Sequence, residues 1–175
     1  MKRFLTVFLY LFALRLSGAW PRDPSLAQLQ DGIAKRGIAK VADELNHQVA
    51  PDPWDSIEAH VESGVTAWLD LARQLRFYTD AGASVGLENA VALALPKNPV
   101  AVLKILGTDP AKDFTVRRVC SIETFIEVPE GKLRSHLRRA KAAVDQVSDP
   151  HLQQTRQACL EVLNRSMNPK VGQRK

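Results

Sequence analysis

Residues 52–78 read DPWDSIEAHVESGVTAWLDLARQLRFY, and the spacing of this stretch decides the fold class. Trp54, Ile57, Val61, Val65, Trp68, Ala72 and Leu75 recur every three or four residues. That is the repeat of one helical face, not the alternation of a half-buried strand. Asp52 can accept from the first unpaired amides, and Pro53 falls where no helical N–H partner is lost. The spacing predicts one long amphipathic helix ending near Tyr78.

The same opening recurs along the chain, at Asp23-Pro24, Asn98-Pro99, Asp109-Pro110 and Asp149-Pro150. Behind Asp23-Pro24, Leu26, Leu29, Ile33, Val41 and Leu45 predict a helix over about Ser25–Val49, weakened at Gly32 and Gly37. Ser84 is the expected cap of a helix through Leu87, Val91 and Leu95, after a turn at residues 80–83 and before Pro96. Asn98 opens a short helix closed by Gly107, and Asp109-Pro110 leads toward a short segment from Phe114. Ile122–Val128, β-branched and aromatic, reads as extended. Helices follow from Pro129 or Glu130, with Leu133, Leu137, Ala140, Val144 and Val147, and from Asp149-Pro150, with Leu152, Cys159 and Leu163. Aromatics make up only 6% of the chain while Ala and Leu are plentiful, which also favours helix. The expectation is an all-α protein, an irregular bundle of about six or seven helices with one disulfide and antiparallel neighbours.

The N-terminus has the pattern of an export leader. Lys2 and Arg3 precede an eleven-residue apolar run, Phe4–Leu14, broken only by Thr6. Ser17 and Ala19 place small residues ahead of a cleavage site between Ala19 and Trp20. The run is short of the about 20 apolar residues that a membrane span needs. This divides the chain into a signal peptide at 1–19, one helical domain at 20–165 and a basic flexible tail at 166–175, and it places the protein in the periplasm or outside the cell. Cys120 and Cys159, the only cysteines, are then expected to form a disulfide.

The net charge of +5 suggests a nucleic-acid partner until its distribution is considered. Three bases lie before Trp20 and four after Asn164, which leaves 17 bases against 19 acids between them. Basicity belongs to the ends, so no nucleic acid is expected.

Glu62-Ser63 and Gly82-Ala83-Ser84-Val85-Gly86-Leu87 resemble the Glu-Ser and Gly-Ala-x-Gly-Leu elements of lytic transglycosylases. The gap between the two elements is longer here, and Glu88-Asn89 follows Leu87. The resemblance implies a helix-rich envelope hydrolase with Glu62 as general acid on peptidoglycan, the candidate catalytic residue. That role needs a carboxyl kept protonated by apolar surroundings. Glu123 and Glu127 form a second carboxylate pair. Asp55, Glu58 and Glu62 share an acidic flank, while Arg134, Arg138 and Lys141, with Arg139 beside them, form a basic stripe suited to an anionic partner. His47, His60, His136 and His151 are scattered without metal-ligand spacing, so neither metal nor cofactor is expected. Asn164-Arg165-Ser166 is a glycosylation sequon.

The leading expectation is an exported, non-enzymatic binding protein of the inhibitor, immunity or assembly type, with another protein as its partner. The alternatives are a peptidoglycan hydrolase and an electrostatic binder of anionic envelope surfaces.

Overall fold

Ser25 opens the first helix by a reciprocal cap. The Gln28 amide donates to Ser25 Oγ at 3.3 Å and the Ser25 amide donates to Gln28 Oε1 at 2.8 Å. The computed structural model describes residues 19–48, 50, 52–110, 113–121 and 130–168. Among these the chain forms nine α-helices and almost no strand, an all-α bundle with one disulfide. The expected extended segment at Ile122–Val128, the pair Glu123 and Glu127, residues 1–18 of the leader and residues 169–175 of the tail lie outside the described residues.

The helix expected over Ser25–Val49 breaks at the second of its two weakening glycines, into α1 (Leu26–Arg36) and α2 (Ile38–His47). They meet at Gly37, whose φ of 83° is a conformation that glycine reaches without steric cost. The long helix expected over residues 53–78 is also divided, into α3 (Trp54–Glu62), α4 (Thr66–Leu75) and a 3-10 turn at Arg76–Tyr78. The division falls at Gly64, φ 79°. The Gly64 amide closes on Val61 O at 3.0 Å, and its carbonyl accepts from Asn98 Nδ2 at 2.9 Å. The apolar spacing continues through the break, but Val65 is 52% exposed and belongs to the joint, not to the core.

Helix α5 (Ala81–Ala94) begins earlier than expected. Asp80, not Ser84, is its cap, accepting from the Ala83 amide at 2.9 Å, so the expected turn is the first turn of the helix. Asn98 caps α6 (Pro99–Ile105) through the Ala101 amide at 3.1 Å. Gly107 does not close that helix. Leu106–Gly107 pairs in parallel with Phe114–Thr115, and a Cβ on Gly107 would stand 2.1 Å from Asp113 Oδ2. The short α7 (Val116–Val119) is capped by Thr115. Helix α8 (Glu130–Asp145) follows, then a 3-10 turn at Pro150–Leu152 capped by Asp149, and α9 (Gln153–Met167). Helix α9 runs two residues into the segment expected as tail.

Helix α3 lies along α5 and α8 along α9, while α7 bridges α5 and α9. Ile57, Val61, Leu69, Leu75, Leu87, Val91, Phe114, Leu137 and Val144 form one buried core. Cys120 and Cys159, both fully buried, are joined with Cα atoms 5.5 Å apart, which ties α9 to the end of α7. A cross-link closing 39 residues stabilises by about 4 kcal/mol on the chain-entropy model.

Candidate functional site

The packing of α3 on α5 sets the site. Ile57 and Val61 turn the apolar face of α3 inward, so Asp55, Glu58 and Glu62 occupy its flank at positions i, i+3 and i+7. Opposite them, Gly86, Asn89, Ala90 and Leu93 repeat at helical spacing on α5. These residues line a cleft of about 200 Å³.

Gly86 is what lets the two helices meet around a carboxylate. A Cβ there would stand 1.8 Å from Glu58 Oε1, so the Glu58 carboxyl rests on bare α5 backbone. Glu58 is half-buried, and among the described residues no hydrogen bond or ion pair reaches it. Burial pushes its carboxyl up to about 7, and the charges of Asp55 and then Asp52 push the same way. Asn89 Oδ1, on the facing wall, is a buried atom without a hydrogen-bond partner. The cleft thus presents carboxylates and an amide oxygen, groups that can receive protons or positive charge.

Glu62 lies at the edge of this cleft. Its side chain is 43% exposed and pairs with Lys97 Nζ at 3.2 Å. The carboxyl held toward its protonated form is Glu58, one turn earlier. Within the stretch resembling lytic transglycosylases, the structure brings Gly86 beside Glu58 and puts Glu88 to another use. Glu88 is 3% exposed, with Oε1 2.7 Å from Arg76 Nη2 and Oε2 3.2 Å from Arg118 Nη1. It ties the end of α4 and α7 to α5.

Ser56, Asp23 and His60 also converge. Ser56 Oγ donates to Asp23 Oδ1, and His60 Nε2 stands 3.0 Å from the same oxygen. Nucleophilic catalysis needs the hydroxyl to give its proton to the imidazole. Here both groups meet one carboxylate, which the Ser56 hydrogen bond and then His60 hold below its ordinary range. With His60 stacked flat on Trp68 at 4.4 Å, the arrangement fastens the N-terminal segment to α3.

The remaining residues singled out in the sequence lie apart. Arg134, Arg138 and Arg139 are exposed on α8, while Lys141 pairs with Asp145 at 2.5 Å, which leaves the stripe carried by guanidinium groups. His136 is buried, and burial, followed by the charge of Arg139, depresses its proton affinity. His47 meets Asp43 on the surface of α2, and Asn164 of the sequon is exposed on α9. Among the described residues no three His, Cys, Asp or Glu side chains are placed to hold a metal, and no helix is long and apolar enough to cross a membrane.

Glu58 was not a sequence candidate. It stood on the acidic flank with Asp55 and Glu62, and the spacing of one helix does not say which of the three will meet a glycine on another. Comparison of the chain with protein-family models, with curated proteins and with solved structures gives no match.

Proposed function

We propose that this protein is an exported, non-enzymatic binding protein whose α3–α5 cleft receives a cationic side chain of a protein partner. One observation carries the reading: Glu58, half-buried on bare backbone at Gly86, has neither an ion pair nor a hydrogen bond among the described residues. A carboxylate withdrawn from water without a partner is unfavourable, and an arriving guanidinium or ammonium group relieves that state. Asp55 and Glu62 extend the acceptor surface, and Asn89 Oδ1 offers an oxygen to a donor hydrogen. The planar, five-donor fork of arginine suits such a wall better than the point charge of lysine.

Export is supported by the leader pattern and by a buried disulfide, a cross-link that persists in oxidising compartments. Finding intact Met1 on the protein in its native compartment would overturn it. For the cleft, the test is calorimetric titration of the chain from Trp20 with a short peptide carrying one arginine between apolar residues, at low and high salt. Binding lost in Glu58→Gln supports the reading, and equal binding by that variant removes Glu58 from it.

A second reading, peptidoglycan hydrolysis, is favoured by the same carboxyl, since a Glu held near pH 7 is suited to general acid work. Release of soluble fragments from purified peptidoglycan by the wild type, abolished in Glu58→Gln, would establish it in place of the first.

A further inference from the structure

Trp20 is held in a socket built by α1 and α2. Its backbone N–H donates to Gln48 Oε1 at 2.6 Å and its carbonyl accepts from Gln48 Nε2 at 2.8 Å. One side-chain amide, 28 residues further on, therefore satisfies both main-chain groups of Trp20. Trp20 as a whole is 7% exposed, and a Cβ on Gly32 would stand 2.7 Å from its Cη2. Arg36 holds its guanidinium carbon 5.2 Å from the ring centre and pairs with Glu44 at 3.1 Å. Ala19, the preceding residue, is exposed. Trp20 is thus buried between exposed neighbours, Ala19 on one side and Pro21, Arg22 and Asp23 on the other, and the leader pattern places cleavage on its N-terminal side.

We propose that this socket is a latch for a chain that begins at Trp20: cleavage precedes docking, and Gln48 then holds the new α-amino group away from exopeptidases. The cleavage step rests on the export reading, while the latch rests on Gln48, Gly32 and Arg36. Hydrolysis adds water across the Ala19–Trp20 amide, leaving a carboxylate on Ala19 and, with the proton it takes up, an α-ammonium on Trp20. Gln48 Oε1 is already placed to accept from that ammonium. A peptidase must draw residues on both sides of the scissile bond into an extended strand. In the folded protein this requires breaking both Gln48 hydrogen bonds and withdrawing the indole, a local unfolding step. Trp20-Pro21 adds a chemical restriction, because only X-Pro-specific aminopeptidases remove a residue that precedes proline.

The test uses the oxidised chain starting at Trp20, exposed to an X-Pro-specific aminopeptidase and followed by mass spectrometry. Loss of one hydrogen bond from the ammonium and one neutral bond to the carbonyl in Gln48→Ala should speed release of Trp20 by roughly thirtyfold or more. Gly32→Ala, which evicts the ring, should also speed it; it loses the stability of the buried indole but should still unfold in one cooperative transition. Release as fast from the wild type as from both variants would overturn the latch. In a parallel arm the full-length chain meets a signal peptidase in micelles, either folded and oxidised or reduced in urea. Fast cutting of the unfolded chain and slow cutting of the folded one supports the order proposed, and equal rates overturn it. If neither form is cut at Ala19, the export reading fails, and the aminopeptidase arm still decides the latch.

Discussion

Replacing Glu58 by Gln keeps the shape of the side chain and removes its ability to ionise, so the stability difference isolates the cost of its charge. In the unfolded chain this carboxyl loses its proton near its ordinary 4.5, whereas in the folded protein it holds it to about 7. Below pH 4.5 both states are protonated and the residue contributes no pH dependence. As pH rises from there, the unfolded chain ionises first and the fold is progressively penalised, and above about 7 the penalty is complete. At 1.36 kcal/mol per tenfold, a carboxyl fully withdrawn from water would forfeit about 3 kcal/mol over that interval. Glu58 is only half-buried, so solvent screens part of this and about 1–2 kcal/mol is expected. Glu58→Gln should therefore stabilise the protein by about 1–2 kcal/mol at pH 8 and by nearly nothing at pH 4.5. Urea unfolding of both proteins at the two pH values is the assay, with a midpoint shift of roughly 0.5–1 M expected at pH 8. Taking the difference between variant and wild type cancels every other titrating group, His136 included. A variant less stable than wild type at pH 8, or equally more stable at both pH values, would refute the reasoning.

Gly86→Ala should displace the Glu58 carboxyl into solvent, because the atoms its Cβ would strike are the free end of a flexible side chain. Its titration by carbon NMR should then fall from about 7 toward 4.5, while α5 gains up to about 1 kcal/mol in helix propensity. Cys159→Ser should cost about 4 kcal/mol in unfolding free energy, as should full reduction of the wild type. His136, buried and depressed in proton affinity, contributes stability that is fully present above its ordinary 6.5 and is lost as pH falls from there. Thermal unfolding of His136→Gln between pH 7 and 5 should show less acid loss than the wild type.

The all-α class and the disulfide were legible because both depend on short-range pattern or on simple counting. Apolar repeats marked the helices, and two cysteines in one chain leave one pairing. The pattern marked the joint at Gly37 and missed the one at Gly64. Val61, Val65 and Trp68 keep their spacing across Gly64, and only the exposure of Val65 shows that the helix has turned. Asp80 and Ser84 can both cap, and nothing local decides that the earlier one wins. The cleft was less legible for the same reason. Glu58 differs from Glu62 in facing Gly86, a relation between residues 28 positions apart that the packing of α3 on α5 creates. Trp20 likewise stood at the end of a leader pattern, while Gly32, Arg36 and Gln48, which hold it, belong to two helices joined at Gly37.

The central claim, that the cleft holds an unpaired carboxyl awaiting positive charge, is tested most directly by titrating Glu58 itself. Carbon NMR of the chain from Trp20 would follow its carboxyl with and without saturating N-acetyl-arginine amide. The account predicts a midpoint near 7 in the free protein and a midpoint lower by about one pH unit or more with the probe bound, since a bound cation favours the ionised form. A midpoint near 4.5 in the free protein, or one that the probe does not move, would contradict it.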